Sequence, residues 1–398
     1  MIPRREIDAL HAEWGLAHAV IEKDYVLGWL LAGIANHAEL RSWVFKGGTC
    51  LRKCYFETYR FSEDLDFTVA SGGALDIADL VSVFGEVAEW IADRSGLELA
   101  VDARSFRERR NKRGNRTFEG RIAFRGPLRQ PGTPKVKLDI TSDELLAGPA
   151  APRAIVHPYS DADDRDRNGT PMIGTVVCYP LVELMAEKMR ALAERCRPRD
   201  LYDVVHTHRH PDLLGQARSV AGVLARKCEF AGIPVPTIAS MGTSPFRAEI
   251  ETEWASMLAH QLPQMPPFEQ FWVELADVFE WLDARIALPL LPRLEIAGTA
   301  VEEWTAPATM TSWRTGAPLE LVRFSGANRL LVDLDYVAEE GRSGKRRVEP
   351  YALRRSRSGD LLLFVVNDRG QIRSYRVDRI RGAAVTSETF RPSYRVEF

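Results

Sequence analysis

The chain has 398 residues, of which 45% are hydrophobic and 27% are charged, and its formal net charge is -2. This length predicts two or three domains. The composition excludes a disordered chain, a collagen-like repeat and a uniformly cationic surface, so any nucleic-acid binding has to come from local patches. The five cysteines lack paired CxxC spacing, and the apolar run at residues 26–34 is too short to cross a bilayer. We therefore expect a soluble cytoplasmic protein with reduced thiols and no membrane partner.

The first half of the chain combines helical and strand-like patterns. Apolar residues at helical spacing predict helix over about residues 4–40. FKGGTCLRKCY predicts a short extended stretch, a Gly-Gly turn and the start of a helix, and RFSEDLDFTVA predicts a strand. After a further helix at residues 75–95, the segments LELAVDARSF, TFEGRIAFRG and KVKLDIT predict three strands that join the acidic strand in one mixed or antiparallel sheet.

The second half is predicted to be helical and then β-rich. Helical patterns cover residues 181–195, the segment RDLYDVVHTH after Pro198, and residues 213–231 and 268–286. A stretch rich in Pro, Gly, Thr and Ala at residues 289–318 predicts a linker, and alternating short strands are predicted from Leu319 onward. The whole pattern predicts an α+β protein with domain boundaries near residues 175, 290 and 318.

Three aspartates form the first candidate site. Because alternate residues of a strand share a face, Asp64 and Asp66 present two carboxylates side by side. Asp139 lies between apolar residues of a later strand and offers a third. Carboxylate oxygens suit magnesium, and three carboxylates can hold two ions about 3.5 to 4 Å apart. An Asp-x-Asp by itself is usually a solvated strand face.

A glycine turn forms the second candidate site. Gly47, Gly48 and Thr49 allow backbone N–H groups at a helix start to approach a phosphate closely. Lys46 and Arg52 lie on or beside this turn and can balance triphosphate charge. A Gly-Gly before a helix is otherwise an ordinary tight turn. The order of the motifs, namely glycine turn, short helix, Asp-x-Asp strand and later Asp strand, favours a catalytic site.

These motifs carry a family resemblance. KGGTCLRK followed by RFSEDLDF resembles the signature of the AbiEii/AbiGii nucleotidyltransferase toxins, a branch of the DNA-polymerase-beta-like superfamily. The upstream IEKDYVLGWLL and the downstream LVELMAEKMRAL and RPRDLYDV are also similar to that family, so the resemblance covers about residues 18–210. It implies a nucleotidyltransferase domain at residues 1–175, with a mixed sheet and helices, and a helical domain at 176–290 that completes the active site.

The resemblance also implies roles for individual residues. Asp64, Asp66 and Asp139 match metal ligands, and Gly47, Gly48 and Thr49 match the nucleotide-phosphate turn. Lys188 matches a helical lysine that contacts nucleotide phosphate, while Asp200 and Asp203 match acidic positions near the active site. By their spacing alone, Lys188, Asp200 and Asp203 can equally be an exposed helix surface with charge pairs.

The implied activity is transfer of a nucleotide from an NTP to an RNA acceptor, the 3′ end of tRNA, with two Mg²⁺ or Mn²⁺ ions and with a cognate antitoxin as partner. Two alternatives stay open. One is a nucleic-acid-responsive regulator or defence protein whose transferase-like part only binds a ligand. The other is a transferase of the same fold that modifies a protein or a small molecule.

Two further segments suggest nucleic-acid contacts. RSFRERRNKRGNRTFEGR contains Arg109, Arg110, Lys112 and Arg113, which can bind an RNA backbone or form a solvated hairpin tip. Residues 319–398 resemble a WYL domain, a small Sm/SH3-like β-barrel, through LLVDLDY, VEPYALR, LLLF and RSYRVDRI. That resemblance implies phosphate or base contacts by Tyr351, Arg354, Arg373 and Arg376. A purely structural barrel is the alternative.

Overall fold

The computed structural model describes residues 1–56, 58–69, 75–111, 113–165, 169–242, 246–283, 291–296, 301 and 317–398. Lys112 and most of the predicted linker lie outside these ranges. The chain forms two compact units. The first unit comprises residues 1–8, 17–187 and 222–235, and the second comprises residues 9–16, 188–221 and 236–398. No helix among the described residues is long and apolar enough to cross a membrane.

Eleven α-helices are present in the described part of the chain. They are α1 (Arg4–Trp14), α2 (His18–Asn36), α3 (Gly47–Cys50), α4 (Ile77–Ser95), α5 (Leu181–Arg195), α6 (Pro198–His208), α7 (Ala217–Ala231), α8 (Ile238–Met241), α9 (Phe246–Leu258), α10 (Phe268–Leu282) and α11 (Leu319–Ala327). A π-helical turn, Leu51–Tyr55, continues α3. The helix predicted at residues 4–40 is two helices, because Gly15 adopts a positive φ of 67° between them.

The first unit is built on an eight-stranded mixed sheet. Its strands are β1 (Val44–Lys46), β2 (Asp64–Thr68), β3 (Glu98–Ala100), β4 (Phe106–Arg110), β5 (Arg116–Arg125), β6 (Lys135–Thr141), β7 (Ala151–Ala154) and β8 (Thr175–Cys178). They lie in the order β3-β5-β6-β2-β1-β8-β7, and β4 pairs with β5. β2 runs parallel to β6 and antiparallel to β1. The acidic strand is therefore central, with a partner on each side.

Helices α2 and α4 pack against each other in the first unit. A Cβ atom at Gly33 of α2 would lie 2.8 Å from Cγ1 of Val87 on α4, so glycine permits the close approach. Asp76 caps the N-terminus of α4, since its carboxylate accepts a hydrogen bond from the Asp79 N–H, and Gly96 with φ of 73° caps the C-terminus. Its buried face supplies Phe84 and other apolar residues to the core.

The second unit contains α6, α8 to α11 and a five-stranded antiparallel sheet. The strands are β9 (Leu330–Val337), β10 (Ser343–Arg355), β11 (Leu361–Asn367), β12 (Ile372–Arg376) and β13 (Ile380–Thr389), in the order β12-β11-β10-β9-β13. The mixed sheet with helices and the separate C-terminal antiparallel sheet confirm the predicted fold class. The prediction of strands from Leu319 was wrong for residues 319–327. These form α11, because Leu319 and Val322 at i,i+3 enter the same core as the sheet.

Candidate active site

The three predicted carboxylates lie on two neighbouring strands. Strands β2 and β6 are parallel, and their register places Asp66 beside Asp139 and Asp64 beside Lys137. Residues that pair across strands share a face of the sheet. The intervening Leu65 is buried on the opposite face, which holds the register in place. The structure thus brings all three aspartates to one face of two adjacent strands.

Gly47 lies directly against this face. Lys46, the last residue of β1, is opposite Asp66, and Gly47 follows with φ of 82°. A Cβ atom at Gly47 would lie 2.1 Å from Oδ2 of Asp66. Backbone conformation and available space therefore both require glycine at this position. The predicted turn is next to the acidic strand, although Asp66 is far from it in sequence.

Thr49 joins the turn to the acidic strand. Its side chain is buried, and its hydroxyl donates a hydrogen bond of 2.5 Å to the backbone carbonyl of Asp64. The predicted role of Thr49 was a phosphate contact through its backbone. The structure shows that its side chain positions β2 relative to α3, and the phosphate contact of its backbone stays a prediction.

Burial and neighbouring charges raise the pKa of Asp64. Desolvation is the largest cause, and it acts because a buried carboxylate loses hydration. The nearby carboxylates of Asp139 and Glu63 act in the same direction. The ammonium groups of Lys137 and Lys23 oppose them but do not reverse the shift. Burial of Asp64, more than repulsion between carboxylates, therefore causes the raised pKa.

Lys137 was not predicted, although it lies within the acidic face. Its Nζ is 2.5 Å from Oδ2 of Asp139. Burial, the largest single influence, lowers the pKa of Lys137, but the hydrogen bond to Asp139 and the charges of three aspartates raise it overall. Lys137 therefore stays an ammonium group. The sequence signal was its position two residues before Asp139, which places both side chains on one strand face.

Lys46 and Glu144 form a second pair near the turn. The ammonium group of Lys46 contacts the Glu144 carboxylate, which also accepts hydrogen bonds of 3.0 Å from the hydroxyls of Thr68 and Tyr179. Glu144 was not predicted, because it follows β6 in a segment without a recognisable motif. It holds Lys46, one of the predicted nucleotide-binding residues, in a defined position beside Asp66.

Arg52 is directed into the protein core. Its Nε donates to Asp24 at 2.8 Å, its guanidinium also donates to the Tyr59 carbonyl, and it stacks on the Phe61 ring at 3.4 Å. Lys53 binds the same Asp24 carboxylate at 2.7 Å. These contacts fasten the π-helical turn to α2. A nucleotide contact by Arg52 stays a prediction, and its described contacts are all internal.

The predicted helical residues form a buried ion cluster in the second unit. Nζ of Lys188 is 2.7 Å from Asp203 and 3.5 Å from Asp200. Asp200 also accepts two hydrogen bonds from Arg195, at 2.7 and 2.8 Å. Both aspartates are completely buried and Lys188 is 7% exposed. The alternative of a solvated helix surface is therefore wrong for these three residues.

The basic hairpin between β4 and β5 is at the surface of the first unit. Arg109 is 4.0 Å from Glu119, and Arg110 donates to the Gly114 carbonyl at 2.7 Å. Arg113 donates to Asp143 at 3.0 Å and stacks on the Phe230 ring. Arg109 and Arg110 are exposed and can reach a ligand, whereas Arg113 already has several protein partners.

The four C-terminal candidates divide into two pairs. Tyr351 and Arg354 are buried, and Arg354 donates to the Leu294 carbonyl at 2.6 Å and to the Glu397 carboxylate at 3.0 Å. Tyr351 donates to Glu349 at 2.6 Å. Their described contacts stabilise the domain interior.

Arg373 and Arg376 form the second pair, on β12. Arg373 is exposed and donates to Gln371 at 2.8 Å. Arg376 is paired with Asp378 at 2.8 Å and with Asp360 at 3.0 Å. Of the four candidates, these two are accessible to a nucleic acid.

The donor set on β2 and β6 fits magnesium. All three predicted ligands are hard carboxylate oxygens, which Mg²⁺ prefers over nitrogen or sulfur. Their common face brings three carboxylates together on neighbouring strands, where a divalent cation would neutralise their charge. A mixed sheet with this acidic face and an adjoining glycine turn defines a nucleotidyltransferase.

Comparison with known proteins identifies the family. The family model described as nucleotidyl transferase AbiEii toxin, type IV TA system, matches residues 29–282, and the WYL domain model matches residues 313–385. Because the first match covers more than half of the chain, the protein belongs to the AbiEii family of nucleotidyltransferase toxins. Both predicted resemblances are confirmed. Type IV toxin–antitoxin systems pair a toxin with an antitoxin, and a nucleotidyltransferase takes an NTP as substrate.

Solved structures with partial similarity include MenT4, a nucleotidyltransferase toxin from Mycobacterium tuberculosis H37Rv. It has 19% sequence identity and a TM-score of 0.47, and the match covers 71% of this chain and 90% of MenT4. Proteasome accessory factor B/C of Arthrobacter aurescens has 11% identity and a TM-score of 0.19, with 92% of this chain and 71% of that chain covered.

Among curated proteins, the urease accessory protein UreD of Aliivibrio fischeri is 26% identical over 146 residues. The match covers 35% of this chain and 42% of UreD, so the chain spans less than half the length of that relative.

Proposed function

We propose that this toxin transfers a nucleotide from an NTP to the 3′ end of tRNA and is neutralised by a cognate antitoxin. The observation that carries the catalytic part is the register of β2 and β6, which places Asp66 beside Asp139 and next to Gly47. The acceptor hydroxyl attacks the α-phosphate of the nucleotide, and pyrophosphate leaves. In such reactions the protein mainly orients the reactants and neutralises charge.

Asp64, Asp66 and Asp139 are the residues that would hold two Mg²⁺ ions, with Mn²⁺ as a substitute. When bound, these ions activate the attacking oxygen and neutralise the triphosphate. The turn at Gly47 and Gly48 receives a phosphate through backbone N–H groups, and Lys46 and Lys188 supply positive charge. The phosphate contact of Lys188 is proposed from the family resemblance, and its Nζ lies 2.7 Å from Asp203 and 3.5 Å from Asp200.

The RNA acceptor is supported by the hairpin between β4 and β5. The chain carries a net charge of -2, so RNA affinity requires a local cationic surface. Arg109 and Arg110 provide exposed guanidinium groups on the same sheet as the three aspartates. Transfer RNA, as opposed to another RNA, is proposed from the family resemblance.

The decisive experiment is incubation of the full-length protein with total bacterial RNA, Mg²⁺ and each α-labelled NTP in turn. We expect label on RNA of tRNA size with a preferred nucleotide. Label on a protein or a small molecule would overturn the RNA acceptor, and absence of any label would overturn the proposed transfer and favour the ligand-binding alternative.

A matched pair of variants tests the site. Asp64→Asn/Asp66→Asn should abolish labelling without unfolding the protein, because both side chains are only half-buried. Strand β9 offers a control with the same Asp-x-Asp spacing, Asp333→Asn/Asp335→Asn, which should label RNA like the wild type. Equal labelling by both double variants would contradict the assignment of the aspartates.

A further inference from the structure

Three cysteines that are far apart in sequence meet inside the first unit. Cys50 ends α3, Cys54 lies on the π-helical turn and Cys178 ends β8. Their Sγ atoms all lie within 4.8 Å of one another. Among the residues that the structure describes, this is the one group of three or more His, Cys, Asp or Glu side chains whose ligand atoms converge in this way. The sequence did not suggest it, because the cysteines lack CxxC spacing.

The geometry matches a thiolate metal site. Zn–S bonds are about 2.3 Å long, so thiolates around one zinc ion lie about 3.8 Å apart, which is compatible with the observed separation. All three residues are free cysteines. Cys50 and Cys178 are completely buried and Cys54 is 8% exposed. The cluster is therefore enclosed, with Cys54 at its accessible side.

Metal binding would ionise the thiols of the cluster. The thiolate is the form of cysteine that ligates a metal, so an arriving ion displaces the thiol protons to solvent. Lys53 and Arg153 lie near Cys54, and their positive charges favour a thiolate there.

We propose that Cys50, Cys54 and Cys178 bind a thiophilic d¹⁰ metal ion of the Zn²⁺ and Cd²⁺ class. This site is chemically distinct from the aspartates of β2 and β6, because soft thiolates select zinc-like ions whereas carboxylates select magnesium. The proposal does not depend on nucleotide transfer.

The position of the cluster gives the ion a structural role. Cys50 directly follows Thr49, and Cys178 pairs with Phe45 of β1 in the sheet. A metal bound by the three thiolates would therefore link the glycine turn at Gly47 and Gly48, together with helix α3, to the central sheet. Binding should raise the unfolding temperature, because an ion that binds only the folded state stabilises it.

The test is a Cd²⁺ titration of the full-length, chelator-treated and reduced protein in excess Mg²⁺, which occupies carboxylate sites. We expect one equivalent of Cd²⁺ to produce an ultraviolet thiolate-to-cadmium charge-transfer band, and excess Zn²⁺ to compete for the same thiolates and weaken the band. Carboxylate-bound Cd²⁺ gives no such band. An increased unfolding temperature and one retained ion in the native mass spectrum should accompany the band.

Matched variants complete the test. Cys178→Ala and Cys54→Ala should lose about one third of the band and bind Cd²⁺ at least 10-fold more weakly. Cys228→Ala removes another buried cysteine outside the cluster and should behave like the wild type. A wild-type protein without a saturable band, or an unchanged band in Cys178→Ala, would overturn the proposal. If either cluster variant fails to fold, the wild-type titration and mass spectrum decide.

Discussion

Gly47 shows how the backbone conformation of one residue can be coupled to the position of a proposed catalytic side chain. Its positive φ reverses the chain between β1 and α3, and its lack of a Cβ leaves room for the Asp66 carboxylate. Thr49 adds a hydrogen bond to the backbone of the same strand. The position of the acidic face therefore depends on small residues in the turn as much as on the aspartates.

Gly47→Ala should damage both stability and activity. The left-handed conformation costs a residue with a Cβ about 1–2 kcal/mol, and displacement of Asp66 should lower the transfer rate about 10²-fold. Urea unfolding and the labelled-RNA assay measure the two effects. The control is Gly85→Ala on α4, where a Cβ meets nothing within 4 Å. It should stabilise the protein by about 0.5–1 kcal/mol and leave transfer unchanged. Similar results for both variants would refute this role of Gly47.

Helix α6 and its C-cap residue Arg209 connect several elements of the second unit. Tyr202 donates to Asn328 at 2.8 Å, and Arg209 donates to the carbonyl of Ala327 at 2.8 Å. Arg209 also forms two hydrogen bonds with Glu274 of α10, at 2.9 and 2.7 Å. These contacts join α6 and α10 to the turn between α11 and β9, so the helical segments and the C-terminal sheet stabilise each other.

Arg209→Ala should destabilise the second unit by about 2 kcal/mol, because it removes two charge-assisted hydrogen bonds to the partly buried Glu274 carboxylate. The same helix α10 provides a control, since Glu269 pairs with Arg247 at the surface. Arg247→Ala should cost at most about 1 kcal/mol. Denaturant unfolding of both variants measures the difference, and equal losses would show that the Arg209 pair contributes no more than a surface pair.

His208 of α6 should make stability depend on pH. Burial is the main cause that lowers its pKa to about 4, and its Nε2 has no hydrogen-bond partner among the described residues. The unfolded chain therefore binds a proton more readily than the folded one. The contribution of His208 to stability is complete above pH 6.5 and is lost as the pH falls towards 4, by about 3 kcal/mol in total.

His208→Phe should remove this contribution while keeping the edge contact with Trp281. Unfolding of wild type and variant between pH 7.5 and pH 4.5 provides the measurement. The variant should lose less stability over this range than the wild type. If the free energy of unfolding falls equally with pH in the two proteins, the prediction is contradicted.

The whole molecule is close to electrically neutral, with 53 Lys and Arg residues against 55 Asp and Glu. Many exposed arginines are paired with carboxylates, for example Arg347 with Asp333 and Glu388. We therefore expect a nucleic acid to bind where guanidinium groups are accessible, as those of Arg109 and Arg110 are on the hairpin between β4 and β5. Binding there should depend strongly on salt.

Arg109→Gln/Arg110→Gln should weaken RNA binding and reduce the slope of log affinity against log salt by about 1.5, because each lost phosphate contact contributes about 0.7–0.9. Fluorescence anisotropy with labelled tRNA at several salt concentrations measures the RNA affinity and its dependence on salt. The control Arg121→Gln/Arg125→Gln removes two exposed arginines of β5 outside the hairpin tip. An equal change in slope for both double variants would mean that general charge, and not the hairpin, binds RNA.

The sequence by itself determined the class of the fold and the motifs of the site. Alternation in RFSEDLDF and KVKLDIT predicted the two acidic strands, and helical periodicity predicted α4, α5 and α10 within a few residues, because these patterns reflect local geometry. The sequence also predicted both families, because the order of the motifs along the chain can be read without knowledge of the fold. The helix at residues 319–327 was missed, because a short apolar segment suits either a strand or a helix until its packing is known.

Only the tertiary structure decided which side chains meet. The register of β2 with β6 places Lys137 in the acidic face, Asp24 holds Arg52 in the core, and the interior of the C-terminal domain holds Arg354. The convergence of three cysteines from separate elements is of the same kind. Such contacts depend on strand register and long-range packing, whose free energy comes from the whole fold, whereas a sequence pattern reports only neighbours along the chain.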